Sequence, residues 1–130
     1  MPKFDRIQGR LTRTGLLVVP VKVMQAKLEF LVDTGASYCV LREEIAHNLV
    51  LDYNPQRTLR IIPASKQPIL APLCDVGFFQ IGGFPVKRFT MLIIDLSEEL
   101  YVDGLLGMNF LKKFRFSIEP DTATLVLRKL

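Results

Sequence analysis

From Leu16 onward the chain is built of short β-branched and aromatic runs separated by turn residues, a rhythm that restricts it to an all-β sandwich or closed barrel. Residues 16–23 and 28–32 read as two strands around Met24-Gln25-Ala26-Lys27, a hairpin that leads directly into Asp33. Residues 76–81 and 86–94 bracket Gly82-Gly83-Phe84-Pro85, a turn signal that predicts a second hairpin. A third is expected from residues 114–118 and 123–127 around Glu119-Pro120-Asp121-Thr122. Helix is confined to short pieces: Leu41, Ile45, Ala46 and Leu49 recur at helical spacing, and residues 108–113 form the other candidate. Pro55, Pro63, Pro68 and Pro72 punctuate the segment between, where proline's missing donor favours edge strands and an exposed hairpin.

A length of 130 residues suits one compact domain. The expected division is a basic N-terminal arm over residues 1–15 and a β-domain over 16–130. The longest apolar stretches, 16–21 and 91–94, are far shorter than the roughly 20 residues that cross a bilayer. The first residues also lack the apolar segment and small-residue cleavage site of a secretory signal, so the chain reads as cytoplasmic and without membrane contact. Two cysteines, Cys39 and Cys74, are too few for a disulfide framework and resemble no metal-ligand pattern; both read as small buried hydrophobes. His47 stands alone in its helix, so neither metal nor cofactor is expected.

The net charge is +4, and Lys3, Arg6, Arg10 and Arg13 cluster near the start against only Asp5. This arm has no interleaved aromatics beyond Phe4 and no nucleic-acid motif follows it, so a solvated terminus is expected and nucleic acid is disfavoured as a partner.

The most informative segment is Phe30-Leu31-Val32-Asp33-Thr34-Gly35-Ala36-Ser37, in which a carboxylate closes a continuous apolar run. Such a run normally enters a core, and an aspartate at its end is poorly solvated unless donors surround it. Thr34 and Ser37 bring hydroxyls, and Gly35 lets the backbone turn tightly enough for its N–H to approach the carboxylate. Taken alone, the tripeptide is equally compatible with an ordinary turn or helix cap.

Residues 31–37, together with Asp103-Gly104-Leu105-Leu106-Gly107-Met108-Asn109-Phe110-Leu111 about 70 residues later, resemble the two signatures of the retropepsin-like aspartic proteases, in that group's order. The resemblance extends over roughly residues 18–127 and implies a closed barrel-like β fold with one or two short helices. It implies Asp33 as the catalytic residue, with Thr34, Gly35, Ala36 and Ser37 supporting its loop. Thr34 would bond across the site, Gly35 would supply backbone donors and Ser37 would support Asp33 from outside. Leu105, Leu106 and Gly107 would lie beneath, and a flap including Ile62, Pro63, Ala64, Ser65 and Lys66 would close over substrate.

Peptide hydrolysis by this route needs two carboxyls sharing one proton, because like charges at contact distance do not both ionise; aspartic-protease dyads are the established example. The chain has no second Asp-Thr/Ser-Gly and no internal repeat: Asp121-Thr122-Ala123 lacks the glycine, and Asp103, Asp75 and Asp95 fit no better. The implied partner is therefore a second copy, with Asp33 meeting the partner's Asp33, and the substrate a peptide or protein. Residues 63–68 depart from the glycine-rich viral flap in having no glycine and two prolines. A noncatalytic dimerisation or peptide-binding module of the same fold is the alternative reading.

Overall fold

The computed structural model describes residues 3–62 and 67–130. Pro63, Ala64, Ser65 and Lys66, four of the five expected flap residues, lie outside the described residues. In chain order the strands are β1 (Phe4–Gln8), β2 (Arg10–Leu11), β3 (Leu17–Val23), β4 (Ala26–Val32) and β5 (Val40–Arg42). Helix α1 (Glu43–Asn48) precedes β6 (Thr58–Ile61), β7 (Ile69–Ile81), β8 (Phe84–Ile94), β9 (Gly104–Leu106), helix α2 (Met108–Leu111), β10 (Phe114–Glu119) and β11 (Thr124–Lys129).

Six of these strands close on themselves in the order β3-β4-β9-β5-β8-β7, the ring completed where Lys22 and Val23 pair with Gln80 and Phe79. Closure removes most sheet edges and leaves β2 and β6 appended to the ring. The expected hairpins are present as β3–β4, β7–β8 and β10–β11. Two of the strand prolines sit where pairing on one side of the strand lapses. Pro20 lies between the stretches of β3 that pair with β2 and with β7, and Pro72 lies just before β7 begins to pair with β8 at Leu73.

The barrel is filled by Val19, Val21, Phe30, Leu41, Phe79, Phe89, Met91, Leu106 and Phe110, all buried. Phe79 meets Phe30, Phe89 and Phe110 at ring centroid distances of 6.0, 4.6 and 5.5 Å, tilted geometries that suit the aromatic quadrupole. Cys39 and Cys74 are buried and free, as their composition suggested. His47 is exposed on α1, 3.8 Å from Glu43 one turn earlier.

The solvated terminus expected from its charge is instead a strand. β1 pairs along its length with β11, forming a second sheet in the order β1-β11-β10. Ile7 is buried, the Arg128 guanidinium lies 4.7 Å from the centre of the Phe4 ring, and the Asp5 carboxylate accepts from Gly83 N at 2.9 Å. No described helix is long and apolar enough to cross a membrane.

Candidate active site

β4 reads apolar to its end because it enters the barrel wall, and Asp33 follows where β4 lies parallel to β9. The Asp33 N–H donates to Leu106 O at 2.9 Å, and the chain turns at once, Ala36 N donating to Asp33 O at 3.2 Å. Within this turn Gly35 N reaches the Asp33 carboxylate at 3.0 Å, the donor that the tight turn was expected to provide. Asp33 is half-buried, while Thr34, Gly35 and Ser37 are exposed. The hydroxyls of Thr34 and Ser37 form no hydrogen bond among the described residues; Ser37 contributes its carbonyl, which accepts from Asn109 N at 2.9 Å.

The second motif lies beneath this loop. Met108 N donates to Ala36 O at 2.8 Å, so the first turn of α2 and the Asp33 loop satisfy each other's backbone groups. Glycine is required at two points here. A Cβ on Gly107 would sit 2.5 Å from Tyr38 O, and one on Gly104 would sit 2.2 Å from Val40 O and 2.6 Å from the Phe30 ring. Leu106 is fully buried, and Leu105 is half-buried against Val18, Leu31 and Val102.

Three supporting residues stand outside the set singled out from sequence. The Asn109 carboxamide oxygen accepts from Cys39 N at 2.7 Å, and its amide nitrogen donates to Thr90 O at 2.8 Å, tying the loop and α2 to β8. Cys39 lies under the loop, its sulfur accepting from Gly107 N at 3.2 Å, and burial pushes its thiol up to about 12. That thiol is a packing group rather than a nucleophile. Arg42 donates to the carbonyls of Leu96, Ser97 and Val102, stapling the loop between β8 and β9. Asn109 belongs to the motif quoted from sequence, but the roles of Cys39 and Arg42 depend on partners more than 50 residues away.

Leu31, two residues before Asp33, borders a concavity of about 510 Å³ that includes Arg10, Leu16, Leu100 and Tyr101. At its rim Arg10 grips Glu29 with two bonds of 3.0 and 3.2 Å, which holds the Glu29 carboxyl below the usual range. β6 and β7 form a hairpin whose register closes at Ile61–Ile69. Ile62, the described member of the expected flap, is 68% exposed, as is Leu70.

A closed β-barrel with an aspartate-bearing loop set on a Gly-Leu-Leu-Gly strand and a short helix defines the lobe of an acid protease. The aspartyl protease family model matches residues 19–110, and the chain belongs to that family, within its retropepsin-like group. A retropepsin-like aspartic protease from Rickettsia conorii superimposes with a TM-score of 0.71 at 26% identity, over 97% of this chain and 92% of that one. The EIAV protease in complex with the inhibitor HBY-793 gives 0.60 at 21% identity, over 73% and 84% of the respective chains. The retroviral protease-like domain of Ddi1 from Leishmania major gives 0.55 at 17%, over 88% and 94%. The last two are likenesses of fold. No curated protein matches the sequence.

Proposed function

We propose that this protein is an aspartic endopeptidase active as a homodimer, in which Asp33 and the partner's Asp33 share one proton across a two-fold axis. The observation that carries this reading is the half-buried Asp33 carboxylate, held by Gly35 N on a loop that α2 supports from below. One carboxylate takes a proton from the attacking water while the other, protonated, polarises the scissile carbonyl. Thr34, exposed beside Asp33, is free to bond to the facing loop. The hairpin of β6 and β7, with Ile62 beyond the end of β6, covers the substrate and excludes water. An extended peptide lies across the cleft, its side chains entering concavities such as the one bordered by Leu31, Leu16 and Leu100.

The test is the peptidase activity of the purified chain on a peptide library from acid to neutral pH, beside Asp33→Asn. The expected outcome is cleavage by the native chain and a loss of about a thousandfold or more in the variant with its fold unchanged. A folded, dimeric native chain that cleaves nothing would contradict the reading and favour a noncatalytic peptide-binding module.

A further inference from the structure

Strands β8 and β9 do not pair with each other, because β5 lies between them, parallel to β8 and antiparallel to β9. Residues 95–103 therefore cannot close as a tight hairpin. They cross the end of β5 as a loop, and the backbone groups of such a loop need partners from outside it. Arg42, the last residue of β5, supplies them. Its guanidinium donates to Leu96 O at 2.6 Å and to Ser97 O at 3.2 Å at one end of the loop. At the other end Nε and Nη2 donate to Val102 O at 2.9 and 2.8 Å. A planar fork of donors reaches both ends at once, which a single ammonium does not.

The loop carries Asp95, Glu98, Glu99 and Asp103, yet Arg42 forms no ion pair among the described residues. Its donors go to main-chain carbonyls, so what it fixes is the path of the chain.

That path turns apolar side chains outward. Val102 is buried against Val18 and Leu31, whereas Leu100 and Tyr101, just before it, line the concavity bordered by Leu31 and Leu16. Tyr101 is 83% exposed and stands at φ 50° and ψ 34°, the left-handed region that disfavours a residue with a Cβ. The core gains nothing from its ring, and asparagine or glycine would suit its backbone better. Strain of this kind persists where neighbouring bonds over-determine the chain, here the bond from Tyr101 N to Glu98 O at 3.2 Å and the grip of Arg42 on Val102 O.

We infer that Arg42 is a positioning residue of the proposed peptidase: by clamping residues 96–102 it holds Leu100 and Tyr101 as a fixed apolar wall, beside Leu31 and so near Asp33, against which substrate packs. The inference rests on the protease reading and adds to it a residue that acts only through the loop. A wall set before binding spares the cost of ordering it when a peptide arrives, so loosening it raises KM and leaves the chemistry at Asp33 intact.

Two variants test this on a peptide that the native chain cleaves, each with steady-state kinetics and a urea midpoint. Arg42→Lys keeps the charge and loses the fork; KM is expected to rise about fivefold with kcat within about twofold of the native value. Tyr101→Asn removes the ring and suits the left-handed backbone; KM is expected to rise about threefold while the midpoint holds or increases. An arginine that serves the fold alone would instead lower the midpoint and the amount of folded enzyme, reducing apparent kcat at constant KM. That result for Arg42→Lys, or an unchanged KM in Tyr101→Asn, would overturn the inference and leave the protease reading standing. The tyrosine variant keeps the inference open to refutation where Arg42→Lys fails to fold. A folded, dimeric native chain that cleaves no peptide would overturn both.

Discussion

The loop of Asp33 and the hairpin of β6 and β7 face the same cleft in the proposed enzyme but are built by opposite means. Beneath Asp33 the chain is locked by buried strands, by a side-chain amide that bonds in two directions, and by glycines whose replacement would force backbone atoms into contact. The hairpin has Ile62 and Leu70 each 68% exposed, and its base is held by surface groups: Asp75 accepts from Thr90 at 2.6 Å and from Arg57 at 3.0 Å. The platform is held by buried contacts within one chain, whereas the hairpin leaves apolar surface exposed.

The sharpest way to break this contrast is at Gly104. Gly104→Ala sets a methyl against Val40 O and the Phe30 ring, and is expected to destabilise the fold by about 3 kcal/mol, read as a lowered midpoint in urea. A midpoint equal to the native one would mean that the platform yields as readily as the hairpin.

Leu70→Ser should do the reverse. Removing an exposed apolar group is expected to leave stability within about 0.5 kcal/mol. It should lower kcat/KM on peptides about tenfold through KM, the cost of losing roughly one buried side chain's apolar contact. Peptidase kinetics unchanged by this substitution would take Leu70 out of the substrate-covering surface.

The smallest effect concerns pH at the hairpin's base. Hydrogen bonds from Thr90 and then Arg57 hold the Asp75 carboxyl below its ordinary value of 3.8. A depressed carboxylate contributes stability that is fully present above that ordinary value and is lost as pH falls through the lower, folded-state value. The base of the hairpin should therefore loosen below about pH 4, seen as faster amide exchange at Leu73, whose N–H donates to Arg57 O. In Asp75→Asn that acid-dependent step should disappear, while exchange at Asp33 N, which donates to Leu106 O, should not respond in either protein.

What the sequence reveals follows the same division. The hairpin of β3 and β4 and the second motif are legible because their signals are local: alternating apolar residues, an unexpected aspartate, two glycines around Leu105 and Leu106. The strand identity of Phe4–Gln8 is hidden because its partner is β11 at the other end of the chain, and its charges imitate a solvated arm. The bond from Cys39 N to Asn109 and the staple from Arg42 to Val102 are hidden for the same reason, since no local pattern announces a partner 70 or 60 residues away. Ser37 is expected from the resemblance to support Asp33 from outside; among the described residues its hydrogen bond is made by its carbonyl, which accepts from Asn109 N, a partner that composition does not foretell.

In the proposed enzyme one active site takes a carboxylate from each of two chains. This is tested most directly by mixing native chain with increasing Asp33→Asn at constant total concentration, letting subunits exchange, and measuring peptidase activity. Random pairing predicts that activity falls as the square of the native fraction, to about one quarter in an equimolar mixture. Activity that falls in simple proportion, to about one half, would mean that each chain carries a complete site and would contradict the account.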